Sequence, residues 1–341
     1  MREVNDHQIS HAQMASHIRR YSPMKVRSRT QHKKKSNKLP IDVSTIHNPY
    51  HDAPASPNTR CADLPLYDEP HISPWLKGND YIRSYYRCGY TTKQCLKSIF
   101  AVHNETGNIW THVIGVIIVI CLSIHIILHL GITRRRDYSV FLLFELASLI
   151  MLGGSSVYHT LAAHHCERVH NFALSLDYFG ITCMIIGSFY PPVFYMFSCM
   201  KLVRFLYLSA VTVLGAIGLI GPFFSFFNDP KFFWMRISLH VALTSIGVLP
   251  AVHIMFGFPA NRNTQPLYQG LLLMLLIYFV GMVIYIFKVP ERWFPGRFDL
   301  VLGSHQLWHF FVLAAAVTHY FTCIGAFQLW RVTGDAGGDC A

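Results

Sequence analysis

The sequence predicts an all-α membrane protein: a seven-transmembrane helix bundle preceded by a disordered basic tail. Three observations carry that prediction. Of 341 residues, 52% are hydrophobic and only 14% charged, a balance unlike that of an ordinary soluble domain. Seven apolar runs follow one another, each near the ~20 residues a spanning helix needs. The charge is also segregated, with 16 of the 29 Lys and Arg within the first 100 residues. The formal charge of +11 therefore sits mostly on a tail beside a nearly neutral bundle, which suits an anionic membrane surface and speaks against a nucleic-acid partner. Nine cysteines are scattered without a CxxC pair, so neither a disulfide framework nor a thiolate zinc site is expected.

Residues 1–74 are polar and basic, with "HKKKSNK" at 32–38, and are expected to form a disordered cytosolic tail open to signalling partners. The opening "MREVNDHQISHAQ" lacks the hydrophobic core of a cleavable signal peptide, so insertion is expected to rely on an internal segment. Residues 75–106 mix aromatics with Lys and Arg, which fits either a segment at the headgroup level or a plain connector. The seven-helix domain is expected over 107–328, with spans near 109–130, 138–160, 173–197, 203–226, 233–256, 267–288 and 305–327, and a short tail over 329–341. Short punctuated separators such as "GITRRRD", "HHCERVHN" and "GFPANRNTQP" divide the runs.

Loop charge does not orient the bundle. With the N terminus inside, Arg168, Lys231, Arg236, Lys288, Arg292 and Arg297 lie on inner loops, against Arg134, Arg135, Arg136, Lys201, Arg204, Arg262 and Arg331 on outer ones. Only the basic stretch before the first span favours N-inside. The sequon-like "NET" at 104–106 abuts that span and is poor ground for glycosylation.

The chemistry lies in "SHQLWH", residues 304–309. Residues four apart share a helical face, so His305 and His309 can point at one spot, as two ligands of a metal must. Because successive spans alternate direction, the end of span two, the start of span three and the start of span seven lie on one side of the membrane. His159, Asp177, His305 and His309 therefore share one leaflet by parity alone. An intramembrane carboxylate costs about 2.5 to 3.5 kcal/mol unless paired or solvated, a cost that a metal ion with its water offsets. Three neutral histidines with an open position form a common catalytic zinc arrangement, in which bound water ionises near neutral pH. Asp177 would then serve as general base or orient a ligand, and Ser155, four before His159, would steady the imidazole or a developing oxyanion.

Other buried polar groups read as structural. Glu145 lies near the opposite leaflet and is expected to be a partnered carboxylate. His319, at ~1.5 Å per residue, falls about 20 Å deeper than His305. His112, His125, His129, His240 and His253 suit interhelical hydrogen bonds. Asn104, Glu105, Asn108 and His112 begin span one on the cluster's side, where capping and packing or support of the metal ligands are both open.

Five ordered motifs, "HNETGNIWTHVIG" (103–115), "SSVYH" (155–159), "LDYFGI" (176–181), "VPERWFPGRFD" (289–299) and "SHQLWH" (304–309), resemble the progestin and adipoQ receptor (PAQR) family, also called adiponectin receptor/hemolysin III-like, over residues ~75–327. Within it the sequence looks nearest to adiponectin receptors and to the Golgi-resident paralogue that tethers Raf kinase. The resemblance implies an inverted topology, N terminus in the cytosol and C terminus outside, and a Zn2+ ion held by His159, His305 and His309, with Asp177 reaching it through water. It further implies ceramidase-like hydrolysis of a sphingolipid amide, with Ser155 at the family's serine, and receptor signalling to an extracellular protein or steroid ligand. A non-catalytic receptor or scaffold with a structural zinc is the alternative, and a transporter is a weaker third. Span lengths do not sort plasma membrane from Golgi. The departures are the N-terminal 70 residues and the slightly long loop after His159, which adds His164 and His165.

Overall fold

The computed structural model describes residues 64–257 and 264–334. Residues 1–63 of the tail expected over 1–74, Arg262 and the last seven residues lie outside the described residues. Seven helical stretches are long and apolar enough to cross a membrane. They are α2 (Thr106–His129), α3 (Arg135–Leu161), α4 (Glu167–Met196), α5 (Lys201–Ile220, extended by a 3-10 turn), the pair α6 (Phe233–Ile246) and α7 (Val248–Gly257), α8 (Gln265–Phe287), and α9 (Ser304–Gly334). The chain is an integral, multi-pass membrane protein. The last helix runs past residue 328 into the segment expected to be a tail.

The fifth span is broken where sequence reading expected one run. Gly247 is a weak helix former, and Pro250 supplies no N–H to the carbonyl of Ile246, so α6 ends and α7 restarts. The Pro191–Pro192 pair, in contrast, stays inside an unbroken α4. Pro192 cannot donate to the carbonyl of Ser188, four residues back. That oxygen instead accepts a bond from His319 Nε2 of α9 at 2.7 Å. His319 is thus a repair of a proline gap, and its bond fixes the protonated nitrogen as Nε2.

The inner helices are α3, α4 and α9. Because lipid tails are as apolar as leucine, burial gives them little driving force, and close approach decides the packing. Gly154 and Gly180 open the α3–α4 seam: a Cβ on Gly180 would stand 2.7 Å from Met151 Cα, and one on Gly154 would stand 2.9 Å from the carbonyl oxygen of Leu176. Phe141, Leu152, Tyr320 and Phe327 fill the space between the helices. Other predicted polar groups find partners: Ser123 Oγ donates to Glu145 at 2.9 Å, His125 meets the Tyr320 hydroxyl at 2.9 Å, and His253 meets that of Tyr207 at 3.0 Å.

Residues 64–105, part of which was expected to be disordered, fold into a small cap. Strands β1 (Leu66–Tyr67) and β2 (Tyr86–Arg87) pair antiparallel, with Leu66 opposite Arg87. Tyr67, Ile72, Tyr86 and Cys88 form the cap's own core, so this segment is more than a connector. Helix α1 (Thr92–Ser98) starts on a capping box between Thr91 and Gln94. The spare histidines serve this cap: His164 Nε2 meets Thr92 Oγ1 at 3.1 Å, and the backbone N–H of His165 donates to the carbonyl of Tyr90. Six cysteines (Cys88, Cys95, Cys121, Cys166, Cys183 and Cys323) are free, whereas Cys199, in the α4–α5 connection, is disulfide-bonded. Spacing along the chain carries no signal for a bridge of this kind.

Candidate metal centre

Antiparallel packing brings the C-terminal end of α3 beside the first turns of α9. One ring nitrogen from each of His159, His305 and His309 falls within 4.8 Å of the others, an arrangement that could hold a metal ion. His159 Nε2 and His305 Nε2 stand 3.3 Å apart. His159 and His309 are 2% and 3% exposed, so bulk water does not compete for these nitrogens.

The orientations of His159 and His309 have visible causes. His159 Nδ1 lies 2.7 Å from a carboxylate oxygen of Glu105 and donates to it, which leaves Nε2 as a bare lone pair facing the other two imidazoles. Asn108 Nδ2 donates to the same oxygen at 2.6 Å. Burial works against the Glu105 charge, but the His159 imidazole and these two hydrogen bonds outweigh it and hold the carboxyl below its usual range. His309 stacks on His112, ring centroids 3.8 Å apart. His112 makes no hydrogen bond of strict geometry among the described residues and lies as a plate against His309.

The first turn of α9 is also held from outside. Glu291, fully buried, accepts from the backbone N–H of Ser304 at 2.8 Å, from the Ser304 hydroxyl, and from Asn79 of the cap at 2.9 Å. Asp299 accepts from the backbone of Arg83 and Ser84, and Gln306 donates to the carbonyl of Asn104 at 3.2 Å. The "VPERWFPGRFD" motif is thus the joint between cap and α9.

Asp177 and Ser155 face each other across the α3–α4 seam beside His159. Ser155 Oγ is buried and interacts with the Asp177 carboxyl, without a hydrogen bond of strict geometry. Asp177 lies outside the group whose ligand atoms converge, so direct contact with a metal falls to the three histidines. All five residues line one cavity of about 1400 Å³. Its lining also includes Met184, Phe189, Leu271 and Met274, and the cavity is larger than the sites that take compact ligands.

Sequence reasoning placed the three histidines, Asp177 and Ser155 on one side by parity, and the structure brings them to one cavity. It left the role of Glu105 open and missed Arg87, Glu291 and Asp299. Their partners lie far along the chain, and only the positions of charged residues in otherwise apolar or looped motifs pointed to them.

Residues 100–320 match the haemolysin-III related family, well over half of the chain. The adiponectin receptor protein of Drosophila melanogaster is 37% identical over 77% of this chain and 59% of its own length. Heptahelical transmembrane protein 1 of Arabidopsis thaliana is 37% identical over 75% of the chain and 79% of its own length. The progestin and adipoQ receptor-like protein 1 of Caenorhabditis elegans is 34% identical over 74% of the chain. This chain spans 58% of that protein, so two of these three relatives are considerably longer. Seven spans, an ordered set of shared motifs and these matches make the chain a member of the haemolysin-III related, or PAQR, family.

Proposed function

We propose that the protein is a PAQR-type receptor whose bundle holds a zinc ion and hydrolyses a lipid amide of the ceramide class. The observation that carries this reading is the convergence of three imidazole nitrogens, one of them set by a carboxylate on its far side, in the wall of a large and mostly apolar cavity. The donor set fits zinc: neutral imidazoles with no thiolate and no directly converging carboxylate. When bound, zinc supplies Lewis acidity and a nucleophile from water at neutral pH.

The chain's own residues divide the remaining work. Glu105 keeps the His159 proton on Nδ1 and the Nε2 lone pair free. Asp177, beside Ser155 and His159, is placed to take a proton from attacking water and return it to the leaving nitrogen. Ser155 Oγ, beside the Asp177 carboxyl, would supply its O–H to a developing oxyanion. The apolar part of the cavity would shelter acyl chains while the amide meets the histidines.

The disulfide at Cys199 supports the orientation. Bridges persist in oxidising compartments, and Cys199 follows the end of α4 opposite the histidines. On this reading the histidine cluster and the N-terminal tail face the cytosol, with the tail open to signalling proteins. The test is purified protein assayed for bound zinc and for fatty acid released from ceramide. The wild type should do both, His305→Ala should lose the zinc, and Asp177→Ala should keep zinc and lose hydrolysis. Zinc without cleavage in the wild type would instead favour a receptor or scaffold with a structural metal.

A further inference from the structure

Arg87 ends β2 in the cap, yet its guanidinium is buried in the bundle's edge, 2% exposed. It donates through Nη2 to the carbonyl of His159 at 2.6 Å, and through Nη1 to the carbonyl of Thr160 at 3.1 Å and to Ser98 Oγ at 2.6 Å. Ser98 Oγ in turn donates to the carbonyl of Cys95, which anchors the fork to α1. The carbonyls of His159 and Thr160 are among the last of α3. They have no N–H partner further along the helix, and they sit at the negative end of its dipole. A planar fork with fixed donors suits two adjacent carbonyls in a way a lysine ammonium does not.

His159 is therefore gripped twice. Glu105 fixes its ring through Nδ1 and Arg87 fixes its backbone through the carbonyl, and the two grips carry opposite charges that attract. On the other helix, Asn79 of the same cap reaches Glu291, which holds the first turn of α9 just before His305. One folded segment, residues 79–105, so bridges the two helices that supply the converging imidazoles. We propose that Arg87 is a positioning residue for the metal centre, and that the docked cap sets how tightly the bundle keeps its metal. The proposal rests on the zinc reading above.

The mechanism is geometric. Three imidazoles from two helices hold one ion only while the end of α3 keeps its height and rotation against α9. Without the fork, the last turn of α3 has two orphan carbonyls and frays, and His159 Nε2 swings against the other two nitrogens.

The experiment is chelator competition on zinc-loaded, full-length protein, compared with the thermal unfolding of its metal-free form. Arg87→Gln should weaken zinc retention by about 10- to 100-fold, the range for residues that orient metal ligands. Arg87→Lys, which keeps the charge and one donor, should recover part of the loss and guards against a glutamine variant that fails to fold. Lys93→Ala, an exposed change on α1 of the cap, should leave retention unchanged. A purely structural Arg87 would lower the unfolding temperature of the metal-free protein with zinc retention as in the wild type, and that result overturns the proposal. Wild-type protein that binds no zinc would overturn the zinc reading itself and this inference with it, whereas tight zinc in both wild type and Arg87→Gln sinks only the inference.

Discussion

A carboxylate oxygen of Glu105 sits 2.7 Å from Nδ1 of His159, although 54 residues separate the two in the chain. This bond chooses the tautomer of the imidazole and aims its free nitrogen at His305 and His309. Glu105→Gln keeps the shape and removes the charge, so zinc affinity should fall by about 10-fold, at the mild end of the range for such partners. Isothermal or chelator titration measures it. Unchanged affinity would show that the ring is oriented by packing alone.

Acid should loosen the cap through His103. Its Nε2 donates to the carbonyl of Ser98 at 2.9 Å and its Nδ1 accepts the Glu105 N–H at 3.1 Å, so both nitrogens are used by the neutral ring. Burial, with the Arg87 charge adding to it, lowers the His103 pKa from 6.5 to about 3. The unfolded segment takes up the proton first. Stability is therefore complete above pH 6.5 and declines as pH falls toward 3, by up to about 1.4 kcal/mol per pH unit. Hydrogen exchange of the cap from pH 7 to pH 4 should show this slope in the wild type, and His103→Gln should flatten it. An equal slope in both proteins would assign the acid sensitivity elsewhere.

The proline repair at His319 predicts a coupling. His319→Ala leaves the carbonyl of Ser188 buried without a donor, which should cost about 1–3 kcal/mol in thermal unfolding. Pro192→Ala restores an N–H to that carbonyl from within α4. In that background the loss at His319 should shrink clearly, a non-additivity that a double-mutant cycle reads. Zinc content should not change in any of these variants, because His319 lies about 15 Å along α9 from His309, the nearest histidine of the cluster on that helix.

At the α3–α4 seam, Gly180→Ala should destabilise by about 1–3 kcal/mol, since the added Cβ meets the backbone of Met151 at 2.7 Å and backbone cannot step aside. Asp177 lies one turn earlier on α4, so hydrolysis of a ceramide substrate should fall along with the unfolding temperature. Gly153→Ala is the control, because a Cβ there meets nothing within 4 Å. Equal effects at the two glycines would mean that helix propensity, and not contact, governs the seam.

Hydropathy made the seven spans legible, because a lipid environment demands runs of fixed length. Parity then placed His159, Asp177 and His305 on one side without any knowledge of packing. What stayed hidden depends on contacts between distant segments. The break at Gly247 was masked by an unbroken apolar run, and the folded cap by its mixed composition. Arg87 looked like one more charge in a basic stretch, and Glu291 like a loop acid. Each is explained only once the cap is seen against the ends of α3 and α9. His319 was likewise unreadable until Pro192 was found to leave a carbonyl without its partner.

The helices divide unevenly between interior and lipid. In the apolar stretches of α3 and α9, 50% and 56% of the residues are buried, against 11% in α8 and 17% in α5. A saturation library across this protein should therefore sort into two kinds of helix. Along α5 and α8 most apolar exchanges should pass unnoticed, since one greasy side chain facing acyl tails serves as well as another. Along α3 and α9 the same exchanges should be culled, and drift over evolutionary time should gather on the outer pair while the inner pair stays close to its present spelling.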